Sequence, residues 1–260
     1  MHTELISFLV SNPGAGGAAA AAVTGDSLII KNNRGVSGPR IIDWWSFQQA
    51  AGFAQLAFPS GHDTTRGYRA GVIVDDTYSL LPEGFSIPIT AQETMTITLA
   101  GSGAAFEQGA MLVHYPDLPG VDQRTLTWSQ TQDRYEKLTT VFAALTTGTN
   151  GQYGTGVAIN SGSDLLLANR DYALLGMQTT ADVCSVSVAG PDTGYAKIGA
   201  PGSNQNSDES AQYFCRLARA QDRSLIPVIN SGNKAATLLY AAGPSASATN
   251  VTLNLALLRK

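Results

Sequence analysis

The apolar positions of this chain fall in short runs, each closed by a cluster of turn-forming residues. In the first half the runs are SLIIKN, RIIDWWSF, GFAQLAF, GYRAGVIV, FSIPI, TMTITLA and AMLVHY, and NNRG, PSGHD, LPEG and AGSG lie between them. Runs of this length bounded by Gly, Pro, Asn and Asp predict β-strands joined by tight turns. TMTITL alternates with period two, which puts Met95, Ile97 and Leu99 on one face. GAMLVHY is expected to pair with it antiparallel across the Gly-rich connection at 101–109. The second half repeats the pattern with DLLLAN, YALLGMQ, CSVSVAG, YAKIGA, AQYFCRLA, LIPVI, ATLLYAA and VTLNLALL. In the last of these Val251, Leu253, Leu255 and Leu257 share a face. Seven or eight short strands per half with little helix predict a β-sandwich, a pattern common to jelly-roll and immunoglobulin-like topologies.

The two halves also resemble each other in sequence, and an internal repeat changes the whole reading of a fold. Residues 63–82, DTTRGYRAGVIVDDTYSLLP, return in weakened form at 208–227, DESAQYFCRLARAQDRSLIP. At an offset of 145, Asp63, Tyr68, Ser79, Leu80 and Pro82 meet Asp208, Tyr213, Ser224, Leu225 and Pro227. Upstream, AQLAFPS at 54–60 lies over AKIGAPG at 196–202 at an offset of 142. Downstream, TMTITLAG lies over AATLLYAAG, again at 142, and SLIIKN resembles DLLLAN. The order is the same in both halves, so the chain reads as a duplication of one sandwich.

Three segments stand outside the repeat. Gly and Pro break any helix in SNPGAGGAAAAAVTG, so residues 1–25 read as an N-terminal arm, either a frayed terminus or a segment whose Leu5, Phe8 and Leu9 dock on a neighbouring subunit. PDLPGVDQR at 116–124 reads as a linker. Beyond it Tyr135, Leu138, Phe142 and Leu145 recur at helical spacing before Gly148, predicting a helix over 130–145. The expected organisation is an arm at 1–25, a first sandwich at 26–118, a linker with a helix at 119–156 and a second sandwich at 157–260. The expected fold class is all-β, two tandem jelly-roll-like sandwiches with one short inserted helix.

Composition narrows the function. Charged residues are only 14% of the 260, against about a quarter in ordinary soluble domains, so much of the surface is expected to face other subunits. The net charge is −4 and Lys and Arg form no cluster, which disfavours direct nucleic-acid binding. No apolar run approaches the roughly 20 residues that span a bilayer. The first residues lack the basic region of an export signal, so folding is expected in a reducing cytosol. The two cysteines, Cys184 and Cys215, both lie in strand-like runs and read as buried thiols, with a bridge between them the alternative that spacing does not decide.

Catalytic chemistry has little to build on. His2, His62 and His114 stand apart, with no HxH or HxxxH spacing for a metal. Asp75-Asp76 and Asp208-Glu209 are acidic pairs in polar turns, and two adjacent acids there are ordinarily just solvated. No nucleophile elbow or phosphate loop occurs. Trp44-Trp45 and Trp128 could form a sugar platform, but adjacent residues on a strand face opposite ways, so one of the pair is expected in the core and Trp44 at an interface. No catalytic centre, cofactor or metal is expected.

With the 63–82 and 208–227 repeat and strands along most of the chain, this architecture resembles the double jelly-roll major capsid proteins of tailless icosahedral viruses. The resemblance implies a homotrimer whose six sandwiches mimic a hexagon and tile a shell, in a virion assembled from protein made in the host cytoplasm. It further implies other capsid proteins or an internal membrane between shell and genome, since a basic arm is missing. The rival readings are a tandem carbohydrate-binding or glycan-processing protein, and a single jelly-roll shell or tail-fibre protein.

Overall fold

The computed structural model describes residues 2–11, 19–20, 23–25, 40–48, 52–57, 68–72, 81, 85–89, 96–100, 106–115, 123–162, 165–180, 183, 185–201 and 211–260. The first half contributes β1 (His2–Ser11), β2 (Ala19–Ala20), β3 (Val23–Gly25), β4 (Arg40–Gln48), β5 (Gly52–Ala57), β6 (Tyr68–Val72), β7 (Ile87–Ile89), β8 (Thr96–Ala100) and β9 (Phe106–Tyr115). The second contributes β10 (Thr125–Leu126), α1 (Trp128–Arg134), β11 (Tyr135–Thr146), β12 (Val157–Ala158), β13 (Asp171–Thr179), β14 (Ser185–Ala189), β15 (Ile198–Pro201), α2 (Tyr213–Gln221), β16 (Ile226–Asn230), β17 (Leu238–Ala242) and β18 (Ala248–Leu258).

Each half builds two sheets. They are ordered β3-β1-β9-β4-β7 and β2-β8-β5-β6 in the first half, and β10-β16-β13-β18-β11 and β12-β17-β14-β15 in the second. With the short edge strands β3 and β10 set aside, both halves have one connectivity. The first, eighth, third and sixth strands share one sheet, and the second, seventh, fourth and fifth share the other. This is the eight-stranded jelly roll, present twice in an all-β chain.

The registers show how closely one roll repeats the other. In the first, Leu5, Leu112 and Trp44 form one row across β1, β9 and β4; in the second, Thr140, Asn254 and Gly176 form the same row across β11, β18 and β13. Next to this row the third strand carries an irregularity in both rolls, between Ile42 and Trp44 and between Leu174 and Gly176. An extra residue bends a strand and sharpens its twist, so both rolls curve at the same place. In the other sheet the row Ile97, Leu56, Tyr68 corresponds to Leu239, Val188, Ile198.

These rows correct part of the sequence alignment. TMTITLAG and AATLLYAAG do coincide, on β8 and β17. Tyr68 and Tyr213 do not: Tyr68 opens a strand, whereas Tyr213 opens α2, and the residue at Tyr68's position is Ile198. AQLAFPS and AKIGAPG also fall on different strands, β5 and β15. GAMLVHY pairs with β1 and β4 rather than with TMTITL, because the jelly roll sends its last two strands to opposite sheets.

The expected arm is a strand. β1 pairs with β9 along its whole length, and Thr3, Leu5, Ile6 and Ser7 are buried. The first roll therefore begins near residue 2, and the second near 125 rather than 157. The helix expected over 130–145 spans only Trp128–Arg134, started by a capping box between Thr127 and Gln130. From Tyr135 the chain is extended, and Val141, Ala143 and Leu145 enter the core while alternate residues face out. Threonines and Val141 favour that pleat. Leu138 and Phe142 on the outer face produced the helix-like spacing. The alternation read in VTLNLALL holds, with Val251, Leu253, Leu255 and Leu257 all in the core. Cys215 lies in α2, not in a strand, and is a free buried thiol.

Candidate functional site

The feature that organises the described residues is the joint between the two rolls. Two faces of β1 do different work. Ile6, with Met111 and Val113 of β9, lies on one face, while Thr3, Leu5 and Ser7 alternate onto the other. Leu5, 2% exposed, and its neighbour Leu112 belong to one apolar cluster with Val186, Val188, Ile198 and Ala200 of the second roll. The outer face of the β1–β9 pair thus closes the core of its neighbour at the β14–β15 edge.

Polar contacts fix the register of this joint. The Leu5 N–H donates to the Lys197 carbonyl at 2.7 Å, and Ser7 Oγ donates to the Gly151 carbonyl at 2.7 Å. Gln123 brackets Thr3, accepting from its N–H at 2.8 Å and donating to its carbonyl at 2.9 Å. Gly151 sits in a turn with φ 73, a left-handed conformation that favours glycine, and the turn aims that carbonyl at Ser7. Lys197 Nζ lies 4.2 Å from the ring centroid of Tyr153, whose hydroxyl accepts from Ser185 Oγ at 3.0 Å. At the other end of the chain's contact, Gln221 of α2 meets Ser86 and the Phe85 carbonyl beside β7.

One residue after Gln123, Arg124 clamps the connection to the second roll. Its guanidinium donates to Asp171 at 2.6 and 3.0 Å and to Asp192 at 3.2 Å. Asp192 is buried and also accepts from the Asn230 N–H and from Asn233 Nδ2, each at 2.9 Å. Asp171 accepts from Asn230 Nδ2 at 2.7 Å. The Arg124 hydrogen bonds hold the Asp171 carboxyl below its ordinary range, and Asp171 in turn raises Arg124. Every oxygen of this cluster has a donor from the chain itself, so the cluster orients a connection and leaves no open acid for catalysis.

The residues singled out from sequence are scattered. His114 is buried in β9 with Nδ1 3.4 Å from Thr3 Oγ1, and so belongs to the joint. Trp128 opens α1 and packs against the core, with the Arg219 guanidinium 5.6 Å from its ring centroid, so its face is not open to a sugar. Burial pushes the Cys215 thiol up to about 11. Among the described residues no group of His, Cys, Asp or Glu could hold a metal. His62, Asp75-Asp76, Cys184 and Asp208-Glu209 lie outside the described residues. Of the expected inter-subunit contacts, Leu5 is buried inside the chain instead, because β9 and the second roll both claim it. Phe8 and Leu9 occupy β1 opposite β3 and β9, and Trp44 follows the irregularity in β4. Sequence reasoning missed Thr3, Ser7, Gln123 and Arg124, all polar residues whose partners lie far along the chain. It noted Leu138 and Phe142 only as helix positions. The available signal was apolar residues on both parities of one strand.

No family model matches the chain, and no curated relative matches it. Three solved structures are similar over most of its length, each at 8% identity. A conserved protein of unknown function from Pseudomonas aeruginosa PAO1 has TM-score 0.23, covering 98% of this chain and 83% of the other. The major capsid protein P2 of bacteriophage PM2 has TM-score 0.22, covering 99% and 98%. The STIV MCP has TM-score 0.20, covering 99% and 96%. Scores this low leave fold and function to be argued from the chain's own strands and contacts.

Proposed function

We propose that this chain is a non-enzymatic building block of a viral shell, a major capsid subunit that forms a homotrimer of six jelly rolls and tiles an icosahedral surface. The observation that carries this reading is the duplicated roll with a one-way joint: the outer face of one roll's first and last strands receives an edge of the next roll. A contact that always runs in one sense generates rings or filaments when repeated between copies. Low surface charge and a dense Gly, Ser and Thr composition suit a molecule with several packed sides. The partners are further copies of the chain, with other capsid proteins or a membrane between shell and genome, and no direct nucleic-acid contact. The protein is made in the host cytoplasm and resides in the virion.

The test is mass and shape. Light scattering behind size exclusion should give three chains per particle, and negative-stain images should show pseudo-hexagonal outlines. A monomer at tens of micromolar, with no assembled particles, sinks the reading.

A further inference from the structure

We infer that one end of the second roll, formed by the start of β11, the 165–170 loop and residues 257–260, is a surface that rests on a bilayer rich in anionic lipid. The inference gives a contact surface to the membrane named among the partners above. It is read on vesicles whatever the oligomeric state, so it can fail while the shell reading stands.

The ladders place the three segments together. β11 begins where β18 ends, with Tyr135 opposite Leu258 and Lys137 opposite Leu257. β13 begins at the same end, where Tyr172 also meets Leu257. Hydrogen bonds tie the segments to one another. The Arg259 N–H donates to the Arg134 carbonyl at 2.7 Å, and Arg170 donates to Glu136 at 2.6 Å and to the Leu258 carbonyl at 2.9 Å. The Tyr172 hydroxyl accepts from the Leu167 N–H at 2.8 Å, which fixes the 165–170 loop beside them. Arg134, Lys137, Arg170, Arg259 and Lys260 thus converge from three stretches far apart in sequence. The cluster exists only in the fold.

Charge here is uneven. Arg170 pairs with Glu136, and Asp171 beside it pairs with Arg124. Arg134, Lys137, Arg259 and Lys260 then stand against Asp133 and, just before Leu165 in sequence, Asp164. The same end exposes apolar side chains. Tyr135, Leu138, Leu165 and Leu167 are between 41% and 66% exposed, while Leu166 is buried, so the loop turns out a leucine on either side of an anchored one. Leucines and a tyrosine among long basic stems are the composition of a lipid interface. The apolar groups enter the headgroup boundary, and the cations attract anionic headgroups.

Other occupants fit less well. A phosphate backbone would use the cations but leaves exposed leucines without a role, and a surface for single strands is built on aromatic platforms. A protein partner calls for a shaped recess. Here Leu138 lies on β11 and Leu165 and Leu167 precede β13, with β18 between those strands. A fluid layer accepts such a spread.

Flotation tests the surface. At low salt the protein should rise with vesicles of equal parts phosphatidylcholine and phosphatidylglycerol, stay behind with pure phosphatidylcholine, and lose most of its binding at high salt. Leu165→Ser with Leu167→Ser, and separately Arg259→Glu with Lys260→Glu, each checked for a native circular-dichroism melt, should weaken vesicle affinity roughly tenfold or more. The second pair lies beyond β18 and keeps the test open should the first disturb its loop. Failure to float on the anionic vesicles, equal flotation on both lipids, or variants that float like the wild type would each overturn the inference. Retention of duplex DNA that the charge pair abolishes and the leucine pair leaves unchanged would assign the surface to nucleic acid, and overturns it as well. A monomeric protein that floats and responds to both pairs removes the shell and keeps the surface.

Discussion

β1 and β11 hold the same place in the same topology, each the first strand of a jelly roll paired along its length with the last. They end in opposite situations. β1 is covered on both faces, by its own roll on one side and by the second roll on the other. β11 buries Val141, Ala143 and Leu145 on one face, while Leu138 on the other is 64% exposed. The difference shows that position in a fold does not settle burial; the neighbour does. It also explains their polar chemistry. Thr3 and Ser7 can be buried because Gln123, His114 and Gly151 meet them. Leu138, at the position equivalent to Thr3, carries no polar group and makes no such demand.

The comparison is broken most severely by removing β1. Deleting residues 1–12 takes away the partner of β9 and uncovers the second roll's core at Val186 and Ile198. The truncated protein should fail to give a cooperative thermal transition and should accumulate as insoluble material, scored by circular dichroism and pelleting. A soluble truncation with a near-native melt would return β1 to the status of an arm. A milder form of the same contrast sets Leu5→Ala against Leu138→Ala. Leu5 is buried among residues of both rolls, so its truncation should cost about 2–4 kcal/mol in urea unfolding. Leu138→Ala, at a position 64% exposed, should stay within about 0.5 kcal/mol. Equal costs at the two positions would mean that the faces are not in different environments.

How much of this was legible beforehand depends on how local the signal was. The alternation at Val251, Leu253, Leu255 and Leu257 is written in adjacent residues, and so is the match of TMTITLAG with AATLLYAAG. β1 was not legible, since its partner β9 lies about a hundred residues away and the Gly- and Ala-rich stretch after it looked like a tether. The pairing of Tyr68 with Tyr213 misled because a run of shared Asp, Tyr and Pro can fall on a strand in one half and a helix in the other. Connections of different length shift the offset from strand to strand, and only ladder registers restore it. The joint's polar residues gave no signal at all. Thr3, Ser7 and Gln123 are unremarkable in sequence, and become functional only when two sheets converge on them.

The Arg124 clamp decides whether the contrast between the two strands is held rigidly, because it fixes the connection that carries one roll past the other. Asp192→Ala would leave Asn230, Asn233 and Arg124 short of an acceptor and should cost about 2–3 kcal/mol. Asp171 adds an acid dependence. Its folded value is lowered by Arg124, so the stabilisation is present above the ordinary aspartate range and is lost as pH falls through the lowered value. Urea midpoints measured from pH 7 down to pH 3 should therefore fall more steeply for the wild type than for Arg124→Gln. Parallel curves would show that Arg124 and Asp171 do not pair in solution.

The smallest effect concerns the part of the second roll's outer sheet face that is covered from within. α2 packs on β13 and β16, where Tyr172, Ala173 and Leu174 are all buried although they alternate in direction, so a cover exists on both sides. Cys215 lies on the buried face of that helix, and its thiol is pushed up to about 11 by burial. The folded state therefore holds the thiol proton, and the stability tied to it is lost as pH rises from the ordinary thiol range through about 11. In a Cys184→Ser background at pH 8, a thiol reagent should modify Cys215 roughly a hundredfold more slowly in native protein than in denaturant, because the thiolate is scarce and the helix must open first. Fast native labelling would mean that α2 lifts readily from the sheet. The exposed surface would then extend from Leu138 towards β13 and β16, and the contrast between a covered part of the sheet and an exposed one would be lost.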